Sequence, residues 1–132
     1  MIDAQELRLG NYVLHKAANK ISKVQCTFQH FELLAKGEAA TFYPVLLKPE
    51  ILEQCGFVEN KEYALLPDAR EFMLVLPVIG SNKNELFAYM KNNKECFARA
   101  TVNGLVASNN LFYLHSLQNI YFALTGTELL IK

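Results

Sequence analysis

The chain has 132 residues, 52% of them hydrophobic and 20% charged, and its 13 basic and 13 acidic residues leave no formal net charge. That length suits one domain that buries roughly two thirds of its extended surface, and the composition excludes a disordered chain. Neutrality argues against a dedicated DNA binder, whose affinity rests on neutralising phosphates.

The charge is unevenly placed. Residues 8–48 hold six basic and two acidic side chains, whereas residues 49–71 hold two basic and six acidic ones. The two stretches can attract each other within the fold or between copies. Three cysteines, Cys26, Cys55 and Cys96, are too few and too dispersed for a disulfide framework. No apolar run reaches the ~20 residues of a membrane span, and residues 1–10 lack the apolar segment of a signal peptide. The expectation is a reduced, cytoplasmic protein without membrane attachment.

Taken in chain order, residues 10–15 read as a short strand introduced by Gly10. Residues 22–29 alternate, with Val24, Cys26 and Phe28 on one side and Lys23, Gln25, Thr27 and Gln29 on the other. That period of two predicts a half-buried strand. Lys36, Gly37 and Glu38 mark a turn, and residues 41–47 return as a strand that Pro44 assigns to a sheet edge.

A helix is expected over residues 49–55. Pro49 suits its first position, and Glu50 and Glu53 place negative charge near its positive end. Leu47 and Leu52 have the spacing of a hydrophobic staple. Gly56 supplies a left-handed stop, and Phe57 folds back on Leu52 as a Schellman ending requires.

The second half is a series of apolar segments cut by turn residues. Residues 63–66 and 72–79 read as strands, the latter buried on both faces. Residues 86–90 and 95–102 flank Asn92-Asn93 as a hairpin, although Leu86, Tyr89 and Met90 also share a helical face. Asn103-Gly104 is the strongest hairpin signal in the chain. Ser108, Asn109 and Asn110 form a further turn before a strand at 111–114. Such spacing indicates antiparallel pairing rather than strand–helix–strand units. A last helix is expected over residues 116–125, capped by Ser116, with Leu117, Ile120, Tyr121 and Leu124 as its apolar stripe and Gly126 as its end. Residues 128–131 then form a terminal strand or tuck against the body.

Four sets of side chains bear on possible chemistry. Cys55 falls at a helix C-terminus, where the dipole disfavours a thiolate, and Cys26 and Cys96 fall among apolar neighbours. Cys26 and His30 are four apart, but no set of four ligands is spaced for zinc, and His15 joins only through tertiary contact. Nothing in the pattern calls for a metal or cofactor. His115, Gln118 and Asn119 meet on one helical face and can converge on a ligand or partner, or simply form the polar side of an amphipathic helix. Lys16, Lys20 and Lys23, with Tyr12 and Phe28 nearby, can form a small single-stranded nucleic-acid surface, or keep an edge strand from aggregating.

Three segments also occur together in a known family. Leu7-Arg8-Leu9-Gly10-Asn11-Tyr12-Val13, the stretch PVLLKPEILEQCGF at 44–57 and the stretch YLHSLQNIYFALTGTEL at 113–129 resemble, in that order, a family of small functionally uncharacterised proteins of gut Bacteroidetes and their prophages. The closing motif is the specific one. Relatives usually carry Thr where this chain has Lys48, which replaces a good helix cap with a poor one. The resemblance implies a bacterial, phage-associated setting and an SH3-like arrangement of the first strands, and it transfers no catalytic residue.

The fold expected is α+β and mainly antiparallel: a single domain over 1–132, with a partly barrel-like sheet and short helix over 1–57 and a meander with a C-terminal helix over 58–132. The leading functional expectation is a non-enzymatic binding or accessory module with a protein partner. The alternatives are nucleic-acid binding through Lys16–Lys23 and a ligand binder or enzyme using His115, Gln118 and Asn119. Oligomeric state stays open.

Overall fold

The computed structural model describes residues 2, 7–17, 20–35, 42–60, 70–77, 81–91 and 95–132. These residues form, in order, β1 (Tyr12–Ala17), β2 (Lys20–Gln25), α1 (Phe28–Ala35), β3 (Phe42–Tyr43), α2 (Pro49–Gln54), β4 (Val58–Glu59), β5 (Arg70–Val75), β6 (Asn84–Lys91), β7 (Glu95–Val102), β8 (Leu105–Val106) and α3 (Leu114–Thr125). The strands make two sheets, β2-β1-β3 and β4-β5-β6-β7-β8, and every pairing of named strands is antiparallel. The fold is therefore α+β and mainly antiparallel. Among the described residues the sheets stay open and do not close into a barrel. No described helix is long and apolar enough to cross a membrane.

Alternation places Tyr12, Leu14 and Lys16 on one face of β1 and Val13 and His15 on the other, and cross-strand partners share a face. Val13 pairs with Val24, and His15 with Phe42. This inner face carries a small core of Ile2, Leu7, Val13, Cys26 and Phe42, closed by Val24, Phe31 and Leu33. The expected strand at 22–29 stops at Gln25, and Phe28 opens α1 instead. Thr27 and His30 make the switch: the Thr27 backbone N–H donates to His30 Nδ1 at 2.9 Å. This is the return half of a capping box, with histidine in place of Glu or Gln. Phe28 is consequently exposed rather than on the strand's apolar face.

The larger core lies on the inner face of the five-stranded sheet. Phe72 pairs with Ala88, which pairs with Ala98, and Leu86 pairs with Ala100. All five are buried, in one cluster with Ile51 and Leu52 of α2 and Leu114 and Leu117 of α3. Each large apolar side chain here contributes about 1.5–3 kcal/mol by burial. β5 is buried on one face only, because Val75 and its neighbours on the outer face are exposed or half-buried. The pairing of residues 84–91 with 95–102 removes the helical alternative for 86–90. The turns expected at 36–38 and 92–93, the strand at 63–66 and the end of the segment 72–79 lie outside the described residues.

A second connection joins the two sheets. After β8 the chain stays alongside β7: the Ala107 N–H donates to Ala100 O, and Ala98 and Leu111 exchange both backbone bonds at 2.8 Å. Between these pairings Arg99 alone faces Ser108, Asn109 and Asn110, a bulge in which Ser108 Oγ accepts the otherwise unpaired Ala100 N–H. The segment 111–114 then pairs on its other side with 45–47, through Leu47 N–H to Phe112 O and Leu114 N–H to Val45 O. The strand expected at 111–114 is thus reduced to isolated bridges.

Local signals were legible where their partners are near in sequence. α2 ends in a full Schellman motif, with the Phe57 N–H on Leu52 O and the Gly56 N–H on Glu53 O, both at 3.0 Å. Lys48 precedes α2 without a side-chain cap bond. Asn103 and Gly104 both have positive φ, 51° and 83°, as a type I′ hairpin needs. Gly56 sits at φ 94°, with Leu74 Cδ1 3.7 Å from where a Cβ would stand. Gly56→Ala is therefore expected to cost about 1–2 kcal/mol from left-handed strain alone. A urea titration showing an unchanged midpoint would contradict that account.

Candidate functional site

α3 begins at Leu114, two residues before the expected cap Ser116, and Tyr113 at its N-cap makes no side-chain capping bond. The Val45 carbonyl takes the Leu114 N–H instead, so strand pairing rather than a cap starts the helix. Gly126 ends it as expected, at φ 73°. Residues 128–131 form no strand; Leu129 is buried, and the Lys132 N–H donates to Gln54 O.

His115, Gln118 and Asn119 do share a face of α3, but that face is turned inward. His115 and Gln118 are only 1% and 2% exposed. Gln118 bridges to the loop before β1: its Nε2 donates to Gly10 O at 3.2 Å, and its Oε1 accepts the Tyr12 N–H at 2.9 Å. Asn119 Oδ1 accepts from Arg8 Nε at 2.8 Å and Asn11 Nδ2 at 3.0 Å. Asn11 is fully buried, and its Oδ1 takes the Arg8 N–H. The Arg8 guanidinium further donates to Gln118 O and Glu128 Oε1 and lies 4.5 Å from the centre of the Phe122 ring. His115 stacks on Tyr113 with ring centroids 5.7 Å apart. The opening motif and the closing motif are therefore two halves of one polar joint. Arg8, Asn11 and Glu128 were not singled out from the sequence; their only signal there was membership of those motifs.

The three lysines are divided by the sheet. Lys23 pairs with Leu14 and Lys16 with Ile21, which puts both on the outer face with Tyr12 and Tyr43. Lys20 pairs with Ala17, and the alternation sends it to the opposite side. The Lys23 ammonium lies 5.3 Å from the centre of the Tyr12 ring. This outer face forms one wall of a groove of about 570 Å³. Leu14 and Lys23 line it from the sheet, Pro44, Val45, Leu46 and Lys48 from the connection, and Glu50, Ile51 and Gln54 from α2. Its walls are mainly apolar, and Leu46 is 64% exposed at its edge. Both the helix of the far wall and the strands of the near wall carry local sequence signals. Their juxtaposition depends on β3 and on the 45–47 pairing with 112–114.

The thiols are all buried. Burial pushes Cys55 and Cys96 up to about 11 and raises Cys26, so each stays protonated near neutral pH. Cys26 lies ahead of α1 and His30 upon it, so they do not share a strand face. The His30 Nδ1 is occupied as an acceptor, and its ring packs edge-on to Phe42. His15 stacks on the same Phe42 ring at 4.8 Å.

Comparison with protein-family models, with curated proteins and with solved structures gives no match to this chain.

Two predictions follow from these bonds. Gln118→Met keeps the side chain's length but leaves the Tyr12 N–H without its acceptor, so chemical denaturation should show a loss of about 1–3 kcal/mol. Glu128→Gln, at a half-exposed ion pair, should cost under about 1 kcal/mol; equal losses would refute the joint's division of labour. Burial, followed by repulsion from His15, lowers the His30 pKa below its usual value. A lowered folded value means the stabilising form is neutral, so its contribution is complete above about pH 6.5 and lost as the pH falls through the folded value. Denaturation midpoints should accordingly fall between about pH 7.5 and about pH 5.5. His30→Gln, which retains a capping-box acceptor, should flatten that slope.

Proposed function

We propose that this chain is a non-enzymatic binding or accessory module of a bacterial or mobile-element system, acting in the cytoplasm and holding a partner protein in the groove between its three-stranded sheet and α2. The single observation that carries this reading is the groove itself: about 570 Å³, apolar along Leu14, Pro44, Val45, Leu46 and Ile51, with charged side chains at its margin. Sites of that size and lining accept apolar side chains and use a few polar groups to orient them. The bacterial and phage-associated setting rests on the motif resemblance alone.

The α3 face is less suited to this role, because Gln118 and Asn119 already bond the chain to itself. A second reading has one observation in its favour. Lys16 and Lys23 share the outer face with Tyr12 and Tyr43, an aromatic–basic arrangement of the kind that holds single-stranded nucleic acid. Glu50 in the same groove and the placement of Lys20 on the opposite face of the sheet count against it.

Selection of random linear peptides on the immobilised protein tests the first reading. Peptides selected on the wild type should lose about tenfold or more in affinity with Leu46→Asp, which removes one apolar contact worth about 1.5–3 kcal/mol. Val106→Asp, at an equally exposed position on β8, should leave them unaffected. Failure to select any peptide, or equal binding by both variants, would sink the groove as the site.

A further inference from the structure

The groove's charges identify the class of segment it fits. Among the described residues the ion pairs are Arg8 with Glu128, Arg70 with Glu59 and Lys83 with Glu85. None involves Lys16, Lys23 or Lys48. Lys16 and Lys23 come from the adjacent strands β1 and β2, and Lys48 from the approach to α2, far from them in sequence. Lys23 and Lys48 nevertheless line one depression, and Lys16 continues the same sheet face beyond Leu14. Lys23 rests against the Tyr12 ring, which orients its ammonium without neutralising it. Glu50 is the one carboxylate among the lining residues, so cations outnumber anions there although the chain as a whole is neutral.

We propose that the occupant of this groove is an acidic segment of a partner protein, in which an apolar side chain is flanked by carboxylates. This inference rests on the groove reading given above and names its partner. The apolar side chain lies against Leu14, Val45 and Ile51, where burial supplies most of the affinity. The flanking carboxylates meet Lys23 and Lys48, whose exposed charges supply selectivity and a salt-sensitive association rate more than raw affinity. Long lysine stems can lie over the apolar wall while their ammonium groups reach the rim. A polynucleotide fits less well, because a phosphate chain passing Lys23 and Lys48 also passes Glu50, and the apolar floor offers it no partner for its backbone.

The test uses labelled short peptides in which leucine is flanked by glutamates, the same peptides with lysines in place of the glutamates, and oligothymidylate. Fluorescence anisotropy on the full chain should show binding of the glutamate-flanked peptide alone, weakening as salt is added. The double variant Lys23→Glu, Lys48→Glu should lose about tenfold in affinity, as expected for two exposed charge contacts turned repulsive. Lys20→Glu, on the opposite face, should bind as the wild type does. All three positions are exposed, so the variants should keep the wild-type melting temperature to within a few degrees. No binding of the glutamate-flanked peptide, equal binding of both peptides, or an unchanged affinity in the double variant overturns the proposal. So does oligothymidylate that binds and is lost with the same double variant, which would assign the face to nucleic acid. If Leu46→Asp abolishes binding of selected peptides while the double lysine variant does not, the groove stands as the site and only the acidic class falls.

Discussion

One polar joint sets the relation between the two ends of this chain. Gln118, nearly fully buried, spans from α3 to the Gly10 carbonyl and the Tyr12 N–H, and Asn119 gathers Arg8 and Asn11 onto a single oxygen. These groups are costly to leave unpaired, since a buried donor without its acceptor loses about 1–3 kcal/mol, more than a satisfied bond contributes net. The arrangement is therefore selective: α3 in another rotation or register would strand several of them. That makes the joint a specifying contact rather than merely an adhesive one. Arg8 adds to it mainly through geometry, since its pair with Glu128 is half-exposed and worth little as a charge pair.

The joint acts together with the backbone stitch between 45–47 and 111–114. The stitch aligns β3 and the approach to α2 with the far edge of β7, while the joint fixes the start of β1 to α3. Between them, these contacts hold the three-stranded sheet beside α2, and the groove is the space left by that placement. Its shape is thus a consequence of contacts made elsewhere. Val45 and Ile51 in its lining belong to the larger core, whereas others, such as Leu46 and Lys23, are exposed. Residues that stay exposed beside a depression are free to serve a partner.

The same geometry reassigns the polar face of α3. The residues that looked most like a site in the linear sequence are engaged inside the molecule, and the lysine cluster is split by the pleat. Lys16 and Lys23 stay with the aromatic rings on the outer face, whereas Lys20 does not. What survives is a smaller basic margin joined by Lys48, which no local pattern linked to the hairpin. The functional proposal moves accordingly, from a helix face to a groove between a sheet and a short helix.

Much of the local structure was legible from neighbouring residues alone. Pro49, Gly56 and Phe57 delimit α2, Asn103-Gly104 makes its turn, and Gly126 ends α3, because in each case the deciding interaction lies within a few residues. α1 was missed because alternation continues through Phe28, and the competing signal was a Thr27–His30 capping box written with an uncommon acceptor. The start of α3 was misplaced because the Leu114 N–H finds its acceptor on Val45, far away in the chain. Likewise, Arg8, Asn11 and Glu128 have no local signature, and the side of the sheet on which each lysine stands follows from cross-strand register. The sequence by itself determined which segments turn, cap and stop. Only the tertiary structure decided which polar groups are spent on folding and which remain for a partner, because hydrogen-bond satisfaction in a buried joint depends on donors and acceptors that periodicity cannot bring together.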